Sequence, residues 1–384
     1  MSKPHNPLNQ LHEAGQAVWL DFLDRSFLAE GGLRKLIAED SLSGVTSNPS
    51  IFEKAMGHGD AYDAGFKATL AQLGDGTTAM QLYEAQAVRD IQAAADDLRP
   101  VYDRLQGKDG YVSMEVSPAA ANDTQATLDE ARHLWHAVDR PNLMIKVPGT
   151  QAGVPAVRQL IEEGLNINIT LLFARDAYQA VAEAYMAGLE ARVKAGKPID
   201  RIASVASFFV SRIDTQIDKK IDSRIEDGDP LGGALLQLRG KVAIANAKLA
   251  YDWYRQSIQG ERWKKLAAQG AMPQRLLWAS TGTKDPSYSP TLYIETLIGS
   301  DTVNTMPQKT MDAFRDGGKV APTLTQDVDE AQRILDETER LDLDLDGVTT
   351  ALVDDGVTQF AEAFDKLVGA VDAKRQSFLA SKTN

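Results

Sequence analysis

Apolar positions along the chain fall into two alternating rhythms. Short runs rich in Val, Ile, Leu and Phe alternate with longer stretches whose apolar residues recur every three or four positions. The first rhythm predicts strands and the second predicts amphipathic helices. Strands are read at 16–24, 43–47, 111–116, 140–150, 165–173, 201–210, 275–281 and 302–306. Helical periodicity covers 25–40, 50–105 with a Gly-Asp-Gly break at 74–76, 123–138, 151–163, 176–195, 212–226 and 231–269. The remainder is mostly helical, and a Leu-Asp alternation at 341–346 reads as a solvated turn region. Asn48-Pro49, Ser117-Pro118 and Pro148-Gly149 close three of the strands, because proline removes a ladder donor and favours a turn.

Strands that alternate with helices predict a parallel sheet covered by helices. Eight of them predict an α/β fold closed into a (β/α)8 barrel, a single domain over 15–384 behind an N-terminal arm at 1–14. The stretches at 50–105 and 212–269 then become helical inserts, and further helices follow at the C-terminus. No shift in composition marks a linker. A length of 384 residues suits this reading, since barrels exceed the usual domain size as one unit.

Composition narrows the chemistry. Hydrophobic residues make up 43% and charged residues 25%, an ordinary globular balance. There is no cysteine, which excludes disulfides, thiolate nucleophiles and thiolate metal sites. A net charge of −13 disfavours nucleic-acid binding, and an anionic small molecule would need a few local Arg or Lys groups. No apolar run reaches the length of a membrane span, so no membrane partner is expected. Residues 1–10 are polar without an apolar signal core; they read as a short mobile arm, with the cytoplasm as the expected compartment.

The fourth strand carries one lysine, Lys146, among Leu143, Met144, Ile145 and Val147. Burial disfavours the charged form of a lysine and frees a neutral amine, which Schiff-base chemistry on a ketone or aldehyde requires. A lysine that snorkels to water from a strand end has the same local pattern, and this stretch alone leaves both readings open. In a parallel barrel the active site lies at the C-terminal strand ends, and side chains alternate between interior and helix layer. Parity sets Lys146 with Met144, Glu115 with Ser113, and Asn168 and Thr170 with Asn166. If the barrel closes, Asp21, Asn48, Glu115, Lys146, Asn168, Thr170 and Ser207 meet in one pocket. Two carboxylates beside one lysine provide one group for proton transfer at a carbinolamine and another for a hydroxyl proton when a carbon–carbon bond breaks. Each polar residue taken alone also fits an ion pair, a cap or a turn.

None of the five histidines falls at a strand end, which disfavours a metal-dependent hydrolase, and no metal is expected. No phosphate-binding glycine motif follows a strand, so no cofactor is expected.

Four stretches carry a family resemblance. Gly44-Val45-Thr46-Ser47-Asn48-Pro49-Ser50-Ile51-Phe52 resembles the N-terminal signature of the transaldolases, and Asn142-Leu143-Met144-Ile145-Lys146-Val147-Pro148 resembles their Schiff-base lysine signature. The stretches 166–173 and 207–212 resemble their fifth and sixth strands, in the expected order. Val18-Trp19-Leu20-Asp21 is similar to strand one of the longer bacterial subfamily. The resemblance implies reversible transfer of dihydroxyacetone from sedoheptulose 7-phosphate to glyceraldehyde 3-phosphate, giving erythrose 4-phosphate and fructose 6-phosphate in the pentose phosphate pathway. It implies Lys146 as the Schiff-base residue and Asp21 as base and acid at the hydroxyl beside the broken bond. Glu115, through a water held by Thr170, would serve carbinolamine formation and dehydration. Asn48, Asn168, Ser207 and Phe209 would contact the substrate, and Arg212 would hold its phosphate. Family members often carry a second arginine after a serine at the end of strand seven. Here Ser280 is followed by Thr281-Gly282-Thr283-Lys284, which leaves Lys284 either as the replacement or as an exposed loop lysine. The alternatives are a class I fructose 6-phosphate aldolase that releases free dihydroxyacetone and a non-catalytic phosphosugar-binding barrel. Monomer and homodimer stay equally open.

Overall fold

A computed structural model describes residues 6–383. Eight parallel strands close on themselves in sequence order: β1 (Gln16–Leu20), β2 (Leu42–Thr46), β3 (Tyr111–Glu115), β4 (Leu143–Pro148), β5 (Ile167–Leu172), β6 (Ser204–Phe209), β7 (Arg275–Ala279) and β8 (Thr302–Met306). Nearly every strand residue is buried, because side chains facing inward fill the barrel and those facing outward meet the helices. The expected (β/α)8 barrel is the observed fold. Strand ends are shorter than the apolar runs suggest. β1 stops at Leu20, although the Asp21 amide still donates to the Met306 carbonyl at 2.8 Å.

Several expectations are corrected. The arm is not mobile over its described part. Residues Pro7–Glu13 form a helix capped by the Asn6 side chain, and Leu8 and Leu11 are fully buried. Leucines four or fewer apart on one helical face gain more from burial than a free arm gains in entropy. Residues 1–5 lie outside the described residues. The helix expected over 25–40 is two, Arg25–Ala29 and Gly32–Glu39, broken where Gly31 turns left-handed at φ 79°. The insert at 50–105 is three helices, Pro49–Gly57, Asp63–Leu73 and Ala79–Arg104. The stretch 231–269 is also three, Gly232–Leu238, Val242–Ser257 and Glu261–Ala267. In 341–346 the turn is present, with Asp342 and Asp344 in left-handed conformation, but Leu341 and Leu343 are buried core residues.

The C-terminal part is dominated by one helix, Leu345–Thr383. Its chain packs against the helix Pro49–Gly57 and reaches β5. Lys374 pairs with Asp63 at 2.8 Å, and Arg375 donates to the Thr77 carbonyl at 2.6 Å, so its far end is tied to the first insert.

At the N-terminal end of the barrel Asp109 gathers Trp19 Nε1 at 3.0 Å, Ser43 Oγ at 2.8 Å and the Arg275 guanidinium at 3.3 Å. This buried polar cluster closes the end opposite the site.

Candidate active site

The strand register decides which polar side chains meet. Glu115 pairs with Lys146, and Lys146 with Asn168, across β3, β4 and β5. Residues at one height with one parity face the same interior layer. Lys146 Nζ donates to Glu115 Oε2 at 3.0 Å and to the Ser47 carbonyl at 3.1 Å. Below it, Ser207 Oγ donates to Asn168 Oδ1 at 2.7 Å, and Asn168 Nδ2 donates to Ser113 Oγ at 3.0 Å. Asn168 is thereby held between Ser207 and Ser113 and buried under the mouth, while Ser207 lines it.

Above this layer lies a cavity of about 360 Å³. Asp21, Asn48, Lys146 and Thr170 line it, as do Ser207, Phe209 and Arg212. Ser280 and Lys284 reach it from the loop after β7. Every residue singled out in the sequence therefore borders the cavity or, for Glu115 and Asn168, contacts a residue that does.

Local structure sets each orientation. Asn48 caps the helix Pro49–Gly57 by accepting from the Ile51 amide at 3.0 Å, which engages its carbonyl oxygen and not its Nδ2. Between β5 and β6 the register slips, since Ile169 pairs with Ala206 but Leu172 with Phe208. Leu171 takes a left-handed φ of 59° at that bulge. A bulge re-aims its neighbours, and Thr170, next to it, lines the mouth. The Thr170 Oγ1 and the Arg212 Nη1 are both buried without a hydrogen-bond partner within the described residues. Such atoms in a cavity wall meet water or a bound molecule.

Burial pushes both carboxyls upward. Asp21 is raised chiefly by desolvation, against the opposing Lys146 charge, a hydrogen bond from Thr46 at 2.7 Å, and the charges of Arg212 and Lys284. Glu115 is raised by the same cause, opposed by the charge and hydrogen bond of Lys146. Burial lowers Arg212, with Asp21 and then Asp355 opposing it. Lys284 is lowered by burial and by Arg212, while Asp21 opposes. Arg212 and Lys284 thus lie close enough to feel each other within the cavity wall.

Thr46, Thr305, Lys54 and Phe360 are among the lining residues that escaped the sequence reading. Thr46 and Thr305 hydrogen-bond at 2.7 Å, and Thr46 fixes Asp21. Parity could have found Thr46, two residues before Asn48. Lys54 lines the cavity from the helix Pro49–Gly57. Phe360 comes from the C-terminal helix, with its ring centroid 5.8 Å from Lys146 Nζ. No local pattern ties a helix residue more than 200 positions downstream to that lysine. The described residues hold no group of His, Asp and Glu side chains suited to a metal ion.

A closed parallel barrel with a buried lysine amine among carboxylates at its C-terminal mouth is the architecture of a barrel enzyme. The Transaldolase/Fructose-6-phosphate aldolase profile matches residues 18–371. The chain is 45% identical to "Transaldolase 2" of Nostoc sp. over 96% of its length and 97% of that protein. It is 46% identical to "Transaldolase" of Thermobifida fusca, covering 95% and 97%, and 46% identical to "Transaldolase" of Thiobacillus denitrificans, covering 95% and 99%. The chain belongs to the transaldolase/fructose-6-phosphate aldolase family.

Proposed function

We propose that the protein transfers a dihydroxyacetone unit between phosphorylated sugars, as a transaldolase of the pentose phosphate pathway acting in the cytoplasm. The carrying observation is the Lys146 amine, buried at the cavity floor and hydrogen-bonded to Glu115. In the proposed cycle Lys146 attacks the ketone of the donor. Glu115 exchanges protons at the carbinolamine, with a water on Thr170, so that hydroxide leaves as water and an iminium forms. The iminium withdraws electrons as Asp21 takes the proton of the neighbouring hydroxyl, and the carbon–carbon bond breaks to an aldehyde and an enamine. Bond formation to an acceptor aldehyde reverses these steps.

Asn48 and Ser207 hold the hydroxyls of the retained unit, with Asn168 fixing Ser207. Arg212 binds the phosphate through its planar fork, and Lys284 adds a point charge. Phe209 keeps Arg212 in place, its ring centroid 5.3 Å from the guanidinium carbon.

The test is a coupled assay with fructose 6-phosphate and erythrose 4-phosphate. Transfer to the acceptor supports the proposal. Acceptor-independent release of dihydroxyacetone as the main activity would instead support the aldolase reading. Absence of both, with no borohydride-trapped adduct on Lys146, would leave a sugar-binding barrel.

A further inference from the structure

Lys284 stands on a wall shared by two cavities. One is the substrate cavity. The other, of about 610 Å³, lies against the helix Ser211–Glu226 and is lined by Asp214, Asp218 and Asp222 from its successive turns. On the substrate side Arg212 repels the Lys284 ammonium and Asp21 attracts it, while carboxylates line the other side. A flexible four-carbon stem can serve either cavity, so the backbone beneath it decides where the charge goes.

That backbone is tied down one residue away. Lys284 belongs to the irregular loop 280–291 between β7 and the helix Leu292–Glu295. Next to it, Asp285 divides its two oxygens. Oδ1 accepts from the Ser287 amide at 2.8 Å and from Ser287 Oγ at 2.7 Å, which closes the loop's own turn. Oδ2 accepts from Arg239 Nη2 at 2.8 Å. Arg239 follows the helix Gly232–Leu238 and also grips Asp222 through Nε at 2.9 Å and Nη2 at 3.0 Å. Its Nη1 donates to Tyr288 Oη at 3.0 Å, further along the same loop. Asp218 adds a second tie, since it accepts from Tyr288 Oη at 2.7 Å and from the Gly240 amide at 2.9 Å. The corner and the loop meet closely, because a Cβ on Gly240 would stand 2.8 Å from Tyr288 Oη. The helix Ser211–Glu226 therefore governs both cations. It carries Arg212 in its first turn, and through Asp218, Asp222 and Arg239 it fixes the loop beside Lys284.

We propose that Arg239 and Asp285 are positioning residues for phosphate recognition, forming a latch that holds Lys284 at the substrate cavity. The inference rests on the transaldolase reading and its assignment of Arg212 and Lys284 to the substrate phosphate. Two cations side by side repel each other until an anion arrives. The latch places that cost on folding instead of on binding, which is how a preorganised site gains affinity. A single exposed ion pair contributes little, but here one guanidinium fork joins two carboxylates and a phenol from two segments.

The experiment compares wild type, Asp285→Asn, Arg239→Gln, Lys284→Ala and the double variant Asp285→Asn/Lys284→Ala in the full-length protein. Asparagine keeps the acceptor for Ser287 and loses the ion pair with Arg239. With saturating erythrose 4-phosphate, kcat/KM is measured for fructose 6-phosphate and for fructose, together with inhibition by inorganic phosphate. The expected result in Asp285→Asn is a fall of about three- to tenfold in kcat/KM for fructose 6-phosphate, a matching rise in the phosphate inhibition constant, and a value for fructose within about twofold of wild type. Arg239→Gln loses at least as much, because it frees the carboxylates of Asp222 and Asp285 to draw Lys284 away. In the double variant the Asp285 change adds nothing to the loss from Lys284→Ala, as two residues acting through one charge require. Equal losses on both sugars in Asp285→Asn, an unchanged phosphate constant, or a further loss in the double variant each overturn the inference. Should Asp285→Asn fail to fold, Arg239→Lys keeps the charge without the fork, and unchanged phosphate inhibition there overturns it equally. Lys284→Ala with unchanged phosphate inhibition removes the phosphate assignment of Lys284 itself, and a wild type that turns over neither sugar removes the transaldolase reading. Both results are read without any latch variant, so they are distinct from failure of the latch.

Discussion

Glu115 and Lys146 are register partners on β3 and β4, and Lys146 Nζ donates to Glu115 Oε2 at 3.0 Å. Their side chains are only 5% and 6% exposed. Removal of one partner from a buried pair leaves the other uncompensated, usually at a cost of several kcal/mol. Here burial already raises the Glu115 carboxyl, so loss of the lysine charge lets it take up a proton instead of staying charged.

Lys146→Met therefore folds. Its circular dichroism spectrum matches wild type, while turnover falls by on the order of 10⁴-fold or more and borohydride traps nothing. Substantial residual transfer would exclude Lys146 as the covalent residue.

Asp21→Asn keeps the adduct and loses the bond cleavage. We expect kcat to fall about 10²- to 10⁴-fold with trapping at Lys146 retained. An equal loss of both would contradict the division of roles between Asp21 and Glu115.

Thr46→Val tests the same carboxyl by pH. The Thr46 hydroxyl favours the charged form of Asp21, which burial disfavours. Without it the Asp21 pKa rises further. The acid limb of the kcat profile, lost as pH falls through that pKa, then moves to higher pH. A limb that stays in place would show that Asp21 does not govern it.

Arg212→Ala weakens phosphate recognition. Charge-assisted hydrogen bonds contribute roughly 1.5–3 kcal/mol, so kcat/KM for fructose 6-phosphate drops about 10- to 100-fold. Release from unphosphorylated fructose changes little. Lys284→Ala has a smaller effect, because an ammonium is a single point charge without the bidentate fork of a guanidinium. Equal losses on both sugars would remove the phosphate assignment.

Asp214 supplies a stability test away from the cavity. It is buried, accepts from the Ala243 amide at 2.8 Å and from Tyr293 Oη at 2.9 Å, and is pushed up from 3.8 to about 7, first by burial. A folded pKa above the unfolded value means that the folded state binds the proton more tightly. Its contribution is full below the unfolded value and is lost as pH rises toward about 7. Asp214→Asn removes that loss, so its urea midpoint relative to wild type rises between pH 4 and pH 8. A constant difference across that range would show that Asp214 does not titrate there.

Much of the fold was legible because β/α alternation writes itself into local periodicity. Thr302–Met306 is a strand with the same bounds that the sequence suggests. Glycine breaks were harder. Gly31 ends one helix and begins another at a left-handed φ, yet the apolar spacing of 25–40 continues across it. The N-terminal helix was missed because polar residues dominate 1–10, and only two leucines, Leu8 and Leu11, meet the core.

The sequence by itself determined that a lysine, two carboxylates and several amides and hydroxyls occur at strand ends with one parity, because a strand's side chains alternate with period two. It also determined the family, through stretches around Asn48, Lys146, Asn168 and Ser207. Only the tertiary structure decided which of those groups touch. The ladder register placed Glu115 beside Lys146, and Thr170, next to the bulge at Leu171, lines the mouth. It alone brought Thr305 to Thr46, and Phe360 to Lys146. Those contacts join segments hundreds of residues apart, and periodicity carries no information beyond the element in which it is written.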